Sequence, residues 1–555
     1  MSKKLLVIVC LSSLPYLFTL NGDFVFDDSE AIVKNKDVTS ESWTSPFYND
    51  FWGADIKSNL SHKSYRPLTI LSYRLNNRRL SSFQFKTTNL LCHVVCCILV
   101  WKVFQSILHN KHKTSTDQDV GTKKLCSTQD RRNKKWWMDT AYLSTLLFAV
   151  HPVHVEAVCG VVGRADLCAA ITFFLAFLTY KKSLTSQRFR YIYLLFTVIV
   201  EFKNSRISNN GVHNLHIEAE SILRMVIITL AIASLLYGRW FVMAGTKPEF
   251  KPTDNPVASY NYIYFINLLL FIWPQWLCYD WSMGCVQLVG NISDARIIFI
   301  AVMYLSVILA VLLIIIPFLP AANIMYPVGF VIAERILYIP SAGYCLLLVI
   351  GFNKLLKRRT LIIGVFMFLL LLLVYAVRSW QRSIEWQNEY GLFVSGLSVC
   401  PLNAKVHYNV AKAADANHQT TWALAEYKEA IRLYPEYYQA MNNLANLLKN
   451  QKQFGEAEYF LRSAVKHRSD FPAAWMNLGI VLASTERYSE SETTYKTALS
   501  YRKKYPDCFY NLGNLYLEMN RTEDAIDTWF QAINQNPKHV LAWTNLMALM
   551  DNTGT

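Results

Sequence analysis

Before Val377 the chain alternates long apolar runs with short polar stretches, and after it the apolar positions become smaller and strictly periodic. A helix needs about 20 apolar residues to cross a bilayer. The runs near 4–20, 88–108, 140–158, 167–180, 190–202, 222–244, 262–281, 296–319, 321–338, 340–353 and 360–377 therefore predict eleven spans, those near 190 and 340 being short. The loops at 109–138, 181–190 and 354–359 carry Lys and Arg with few acids, which places them in the cytosol. The first loop, from Asn21 to about Thr87, balances its charges and falls on the opposite side, as does everything after Val377. The sequons at Asn59, Asn291 and Asn520 all lie in stretches that the charge rule assigns to the non-cytosolic side. Met-Ser-Lys-Lys followed by the run Leu5 to Leu20 can pass for a signal peptide, but no small-x-small cleavage pattern follows, and it reads as an uncleaved first span.

From about residue 404 a repeat of 34 residues sets in. Ala411, Ala445, Gly479 and Gly513 form one small-residue series, and Ala430, Ala464, Ala498 and Ala532 form a second. Thirty-four residues is the tetratricopeptide period, with a small residue where the two helices of a unit approach closely. His407, Met441, Trp475, Phe509 and Trp543 occupy one packing position, Leu444, Leu478, Leu512 and Leu546 the next, and Pro435 and Pro537 close two units. Four full units are predicted, and a fifth begins near Val540 with one helix before Thr555, either as a cap or as the start of a longer array. Such repeats present a concave face to extended peptides or partner helices. The predicted fold class is all-α: a polytopic membrane domain over 1–380, a linker over 381–403 and an α-solenoid over 404–555.

Composition agrees: 53% of residues are hydrophobic and 17% charged. The net charge of +15 resides in short clusters beside apolar runs, such as residues 111–113, 131–135 and 357–359, so it reports membrane orientation and not nucleic-acid binding. The 12 cysteines include no CxxC pair, which argues against structural zinc and thioredoxin-like chemistry. Cys278 and Cys285 can pair across a non-cytosolic loop, although free thiols packed among helices are the commoner case.

Three polar islands interrupt the apolar pattern on the non-cytosolic side. Asp27 and Asp28, flanked by Phe24 and Phe26, can hold one acid poised as a general base, or can belong to a solvated acidic loop. His151-Pro-Val-His154-Val-Glu156, followed by Arg164 and Asp166, can ligate a metal or form a hydrogen-bonded corner, with Arg164 and Asp166 as an ion pair. In the third island Arg335 has the geometry to clamp a phosphate, and Tyr338 can donate a hydrogen bond or stack on a sugar. Islands converging on one face suit a lipid-phosphate substrate whose tail stays in the bilayer.

At these residues the chain resembles the transmembrane and tetratricopeptide-repeat O-mannosyltransferases. The stretches are GDFVFDD, SYRPLTILSYRLN over 64–76, HPVHVEAV with VVGRAD, LCYDWSMG over 277–284 and ERILYIPSAGY, in the family's order and ahead of the repeats. The resemblance implies a multispanning C-type glycosyltransferase of the endoplasmic reticulum membrane with its repeats in the lumen. The implied reaction moves mannose from dolichyl-phosphate mannose to Ser or Thr of secretory-pathway proteins, cadherins among them, with no metal and no cofactor beyond the lipid-linked donor. Carried over by position, it makes Asp27 or Asp28 the catalytic base. Arg335, supported by Glu334 and Tyr338, becomes the phosphate-binding group, while Arg66, His154, Glu156, Arg164 and Asp166 are candidates for substrate positioning. One stretch departs from the family: residues 201–216 are polar and aperiodic where another hydrophobic helix with a small Lys- and Glu-containing motif is expected, which bears on both topology and activity. The alternative reading is a non-enzymatic membrane adaptor that binds a partner through its repeats. A lipid-linked sugar transporter would show symmetry between two membrane halves, and the apolar pattern has none.

Overall fold

A computed structural model describes residues 3–109, 139–185 and 333–553, apart from 41, 59–60, 62–63, 77–80 and 356–360, together with a few isolated positions between 237 and 278. The spans expected at 190–202, 222–244, 262–281, 296–319 and most of 321–338 lie outside the described residues, as do Asn59, Asn291 and the stretch 201–216. The chain separates into two compact units, one running to Val399 and the other comprising chiefly Cys400–Thr555. Among the described residues every regular element is a helix.

The first unit is built from α1 (Lys3–Ser13), α2 (Pro67–Asn76), α3 (Ser82–His109), α4 (Thr140–Ala149), α5 (Val155–Cys159), α6 (Arg164–Thr185), α7 (Tyr338–Leu355), α8 (Leu361–Glu385) and α9 (Glu389–Val399). By length and composition Ser82–Leu108, Val161–Lys182, Glu334–Asn353 and Leu361–Glu385 are able to cross a membrane. The pair Thr140–Ala149 and Pro152–Cys159, bent by 51°, adds a fifth if it is one broken span. Pro152, which has no N–H to continue α4, begins the short turn at that bend. The run 4–20 is likewise not one continuous helix, because Pro15 turns the chain into a 3₁₀ segment over Leu14–Thr19. Pro340, the first residue of the expected run 340–353, sits in the first turn of α7, which begins two residues earlier at Tyr338, and there its missing N–H costs little. Along α8 the side chains of Ile362, Ile363 and Phe366 are 85%, 64% and 64% exposed. An apolar ridge of that kind is the surface a helix presents to lipid.

The polar loop that follows residue 20 folds onto the ends of the apolar helices. Ala31, Ile32, Val38, Phe51, Ile70 and Tyr73 form one buried cluster with Phe85 of α3 and with Val161 and Val162 just before α6. Burying these side chains gives the polar residues between them fixed positions. The segment 381–403, expected as a linker, is helical over most of its length through α8 and α9, and the boundary between the units falls at Val399.

The second unit consists of four antiparallel helix pairs, Ala404–Ala416 with Thr420–Leu433, Tyr438–Asn450 with Phe454–His467, Pro472–Ser484 with Tyr488–Tyr501, and Pro506–Glu518 with Thr522–Gln535, followed by Val540–Thr553. The small-residue rule is visible directly: a Cβ on Gly479 would lie 2.7 Å from Cε1 of Tyr495, and one on Gly513 would lie 2.5 Å from Cδ1 of Trp529. Ala411 and Ala445 are fully buried at the corresponding positions. The turns carry a further regularity, since His418, Lys452, Glu486 and Asn520 adopt φ of 59°, 62°, 61° and 59°, one left-handed residue per unit at the same 34-residue step. Asn520, the described sequon asparagine, is exposed in this conformation, which asparagine tolerates better than most residues.

Gly513→Ala is expected to destabilise the repeat unit by about 1–3 kcal/mol, because Trp529 is fully buried and has no space to yield. Urea unfolding of residues 400–555 followed by fluorescence measures this, and an unchanged midpoint would contradict the packing argument.

Candidate active site

The sequence following the 3₁₀ segment Leu14–Thr19 turns sharply, and two anchors hold it. The backbone N–H of Asp23 donates to the carbonyl of Gln387 at 2.8 Å, while the Gln387 side chain donates to the carbonyl of Phe18 at 3.0 Å. Gly22 is required at this approach, since a Cβ there would lie 2.7 Å from the Gln387 oxygen. Six residues after Gly22, Asp28 is buried, and its carboxylate accepts from the backbone N–H groups of Val161 at 3.1 Å and Val162 at 2.9 Å. These are donors of the turn leading into α6, so Asp28 caps that turn and ties the first loop to the span behind it.

The two aspartates are thereby separated in role. Asp28 has no solvated face and spends both oxygens on backbone donors, whereas Asp27 is partly exposed and lies within electrostatic range of Arg335. The solvated-loop reading does not hold for Asp28, and of the two carboxylates only that of Asp27 is reached by solvent.

Burial raises the carboxyl group of Asp28 to about 6, against the lowering effect of the two N–H groups and of Lys86 and with a smaller raising contribution from Asp27. The folded chain then holds a proton that the unfolded chain has released. Its stabilising contribution is complete below about pH 4 and lost as pH rises through about 6, a span of about 3 kcal/mol. Asp28→Asn is expected to remove that slope. Thermal unfolding in detergent between pH 4 and 7 measures it, and an identical slope in the variant would assign the dependence elsewhere.

The other candidate residues fall into three groups. Arg335, at the start of the α7 span, is held between Glu156 and Asp166, with Nε 3.8 Å from Oε1 of Glu156 and 3.7 Å from Oδ2 of Asp166. Glu156 also accepts from the Arg335 backbone N–H at 3.1 Å. The side-chain separations are ion-pair distances too long for hydrogen bonds, so the two carboxylates centre the guanidinium without engaging its donors. With a side-chain exposure of 18%, Arg335 can still offer its fork to a phosphate.

Glu334 does not support Arg335. It is fully buried and faces Arg382 of α8, with Oε1 3.8 Å from Nη2, and Arg382 is also bonded through Nη1 to Glu385 and to Ser395. Nor is Tyr338 available to a sugar: its buried hydroxyl meets Nδ1 of His93 at 2.6 Å, and its ring packs on His154 with centroids 4.3 Å apart. His154 in turn shares a hydrogen bond with the hydroxyl of Ser341 at 2.8 Å, so the His-x-x-His stretch is a hydrogen-bonded corner. Among the described residues no group of three or more His, Cys, Asp or Glu side chains is arranged to hold a metal ion.

Arg164 is not paired with Asp166. Its guanidinium donates to Oδ1 of Asn89 at 2.9 Å, to the carbonyl of Ser72 at 3.0 Å, to Oδ1 of Asn76 at 2.7 Å and to the carbonyl of Phe85 at 3.0 Å. It also lies over the rings of Tyr73 and Phe85. Such saturation makes Arg164 a cross-brace between α2, α3 and α6, and it leaves Asp166 to Arg335. Arg66 lies over the Phe51 ring, 5.0 Å from its centroid, in the folded first loop. Cys278 is not in a disulfide, while Cys400 is disulfide-bonded.

Sequence reasoning missed Lys86 and Arg382. Lys86, 1% exposed, donates to the carbonyl of Trp386 at 3.4 Å and reinforces the anchor at Gly22. An ionisable residue within an apolar span is itself a functional signal, and both residues carried it.

Residues 244–308 match the family model described as protein O-mannosyl-transferase TMTC, DUF1736, and residues 426–459 and 482–550 match tetratricopeptide-repeat models. The chain is 40% identical over 498 residues to "Protein O-mannosyl-transferase TMTC4" of Mus musculus, a match covering 75% of this chain and 64% of that protein. It is 40% identical to the Homo sapiens protein of the same name, covering 77% of this chain and 65% of the relative. With "Protein O-mannosyl-transferase Tmtc3" of Drosophila melanogaster the identity is 32%, covering 81% and 56%. The matches thus span somewhat less than two thirds of these relatives' length.

Proposed function

We propose, from the premise that the chain belongs to the TMTC family of transmembrane and tetratricopeptide-repeat proteins, that it is a protein O-mannosyltransferase using Asp27 as its base. The observation that carries the assignment of the base is the division of labour between the two aspartates, with Asp28 committed to Val161 and Val162 and Asp27 left accessible near Arg335. In this reading Asp27 takes the proton from a Ser or Thr hydroxyl of the acceptor. The acceptor oxygen bonds to the anomeric carbon of mannose as the bond from that carbon to the phosphate oxygen breaks, and dolichyl phosphate leaves. A single displacement of this kind inverts the anomeric centre. Arg335 stabilises the departing phosphate, held in place by Glu156 and Asp166.

The reaction takes place on the luminal side of the endoplasmic reticulum membrane, with the repeats on that side handling the acceptor polypeptide, cadherins being the acceptor class implied by the sequence resemblance. Three observations support this orientation: the distribution of basic loops, the exposed sequon asparagine Asn520, and the disulfide at Cys400, a bond that persists in oxidising compartments. The adaptor reading leaves unexplained both the transferase names of the relatives and a carboxylate kept accessible beside Arg335.

The test is mannose transfer from dolichyl-phosphate mannose to a cadherin-domain acceptor, in microsomes from cells lacking related transferases and supplied with this chain. Mannosylated acceptor is the expected product. Its absence, with the chain folded and correctly inserted, would favour the adaptor.

A further inference from the structure

Among the described residues of the membrane unit, Phe26 is the one non-glycine residue with a positive φ, at 55°. A bulky side chain in that region is strained, and the conformation persists only where surrounding contacts impose it. Phe26 immediately precedes Asp27, so its backbone angles set the direction in which the Asp27 side chain leaves the loop. If φ relaxed to the ordinary negative range, a rotation of roughly 120°, the Asp27 carboxylate would turn away from its present direction.

The loop is fixed on either side of this residue. Asp23 is bonded to Gln387, the Phe24 ring meets Phe85 edge-on with centroids 5.5 Å apart, and Asp28 is bonded to Val161 and Val162. At Phe26 itself the ring meets Phe393 edge-on, with centroids 6.4 Å apart and planes at 83°. Phe393 is 4% exposed and belongs to α9, the helix that follows the Trp386–Gln387 turn anchoring the start of the same loop.

We propose that Phe393 is a positioning residue for Asp27: its ring holds Phe26 in the left-handed conformation and thereby aims the Asp27 carboxylate at the acceptor hydroxyl. The proposal rests on the reading of Asp27 as the base. Aromatic pairs in edge-on geometry are favourable beyond their buried area, and misplacing a reacting group by about 1 Å costs up to about 10²-fold in rate.

The test uses the full chain in microsomes, with dolichyl-phosphate mannose and a cadherin-domain acceptor. Phe393→Ala is expected to lower kcat by about 10- to 10²-fold with the donor KM within about twofold of the parent, whereas Phe393→Tyr, which keeps the ring, retains activity. Phe26→Ala should show the same loss, and the double variant no further loss, because the two rings act as one unit. Leu392→Ala removes a fully buried neighbour on the same helix and is expected to lower stability while leaving kcat close to the parent value. Hydrogen exchange at residues 22–30 supplies a readout independent of activity, expected to accelerate in Phe393→Ala and not in Leu392→Ala.

Parent-like kcat in Phe393→Ala, multiplicative losses in the double variant, or unchanged exchange at residues 22–30 would each overturn the positioning role while leaving the base assignment intact. Full activity in Asp27→Asn would instead remove the base, a distinguishable failure. If the parent transfers no mannose, the exchange result alone decides whether Phe393 holds the loop.

Discussion

Asp27→Asn is expected to lower mannose transfer by about 10²–10⁴-fold with little change in folding, the range lost when a positioned general base is removed. Asparagine keeps the shape of the side chain but cannot take the acceptor's proton. Because Asp27 is partly exposed, solvent screens much of the loss of its charge. The neighbouring Asp28→Asn should behave differently. It retains an acceptor for one of the Val161 and Val162 N–H groups, sets an amide against the other, and alters stability more than kcat. Initial rates at saturating donor and acceptor, normalised to folded protein, separate the two variants. Equal transfer by Asp27→Asn and the parent would sink the base, and a kcat loss confined to Asp28→Asn would exchange the roles assigned here.

The second large effect is expected at Arg382. Its side chain and that of Glu334 are both fully buried, and among the described residues Nε and Nη2 of Arg382 find no hydrogen-bond partner. Arg382→Met would leave Glu334 as a buried carboxylate without its facing cation, at a cost of about 3–5 kcal/mol. Combining it with Glu334→Gln removes the uncompensated charge and should recover most of that loss. Thermal unfolding of the detergent-solubilised chain distinguishes the single and double variants from the parent. Equal destabilisation of the single and double variants would mean that packing around Arg382, and not its pairing with Glu334, supports the fold.

The repeats were legible because their information is local and recurs. Gly479 meets Tyr495 and Gly513 meets Trp529, each only 16 residues away in sequence, and a 34-residue step repeats the same requirement in every unit. Membrane-crossing length was similarly readable from apolar runs, but helix boundaries at Pro15 and Pro340 depended on which turn each proline occupied. The site was less legible, because its partners are distant. Asp28 reaches residues 133 and 134 positions away, and Arg164 reaches across 75–92 residues to α2 and α3. The short spacing between Arg164 and Asp166 suggested an ion pair, yet four acceptors from other elements satisfy the guanidinium first. Arg382 escaped notice for the same reason: adjacent sequence shows an arginine at the end of a span and nothing of the glutamate opposite.

The sequence by itself determined the division into a membrane unit and a solenoid, the place of the close helix approaches, and the acidic pair after the first span. Each of these is set by composition or by a short period, which do not depend on the rest of the fold. Only the tertiary structure decided which aspartate is buried on backbone donors, which arginine lies between two carboxylates, and which histidines and tyrosines are internal packing. Identical carboxylates or guanidiniums acquire different chemistry from the donors, charges and rings that distant segments bring to them, and burial then makes those choices costly to reverse.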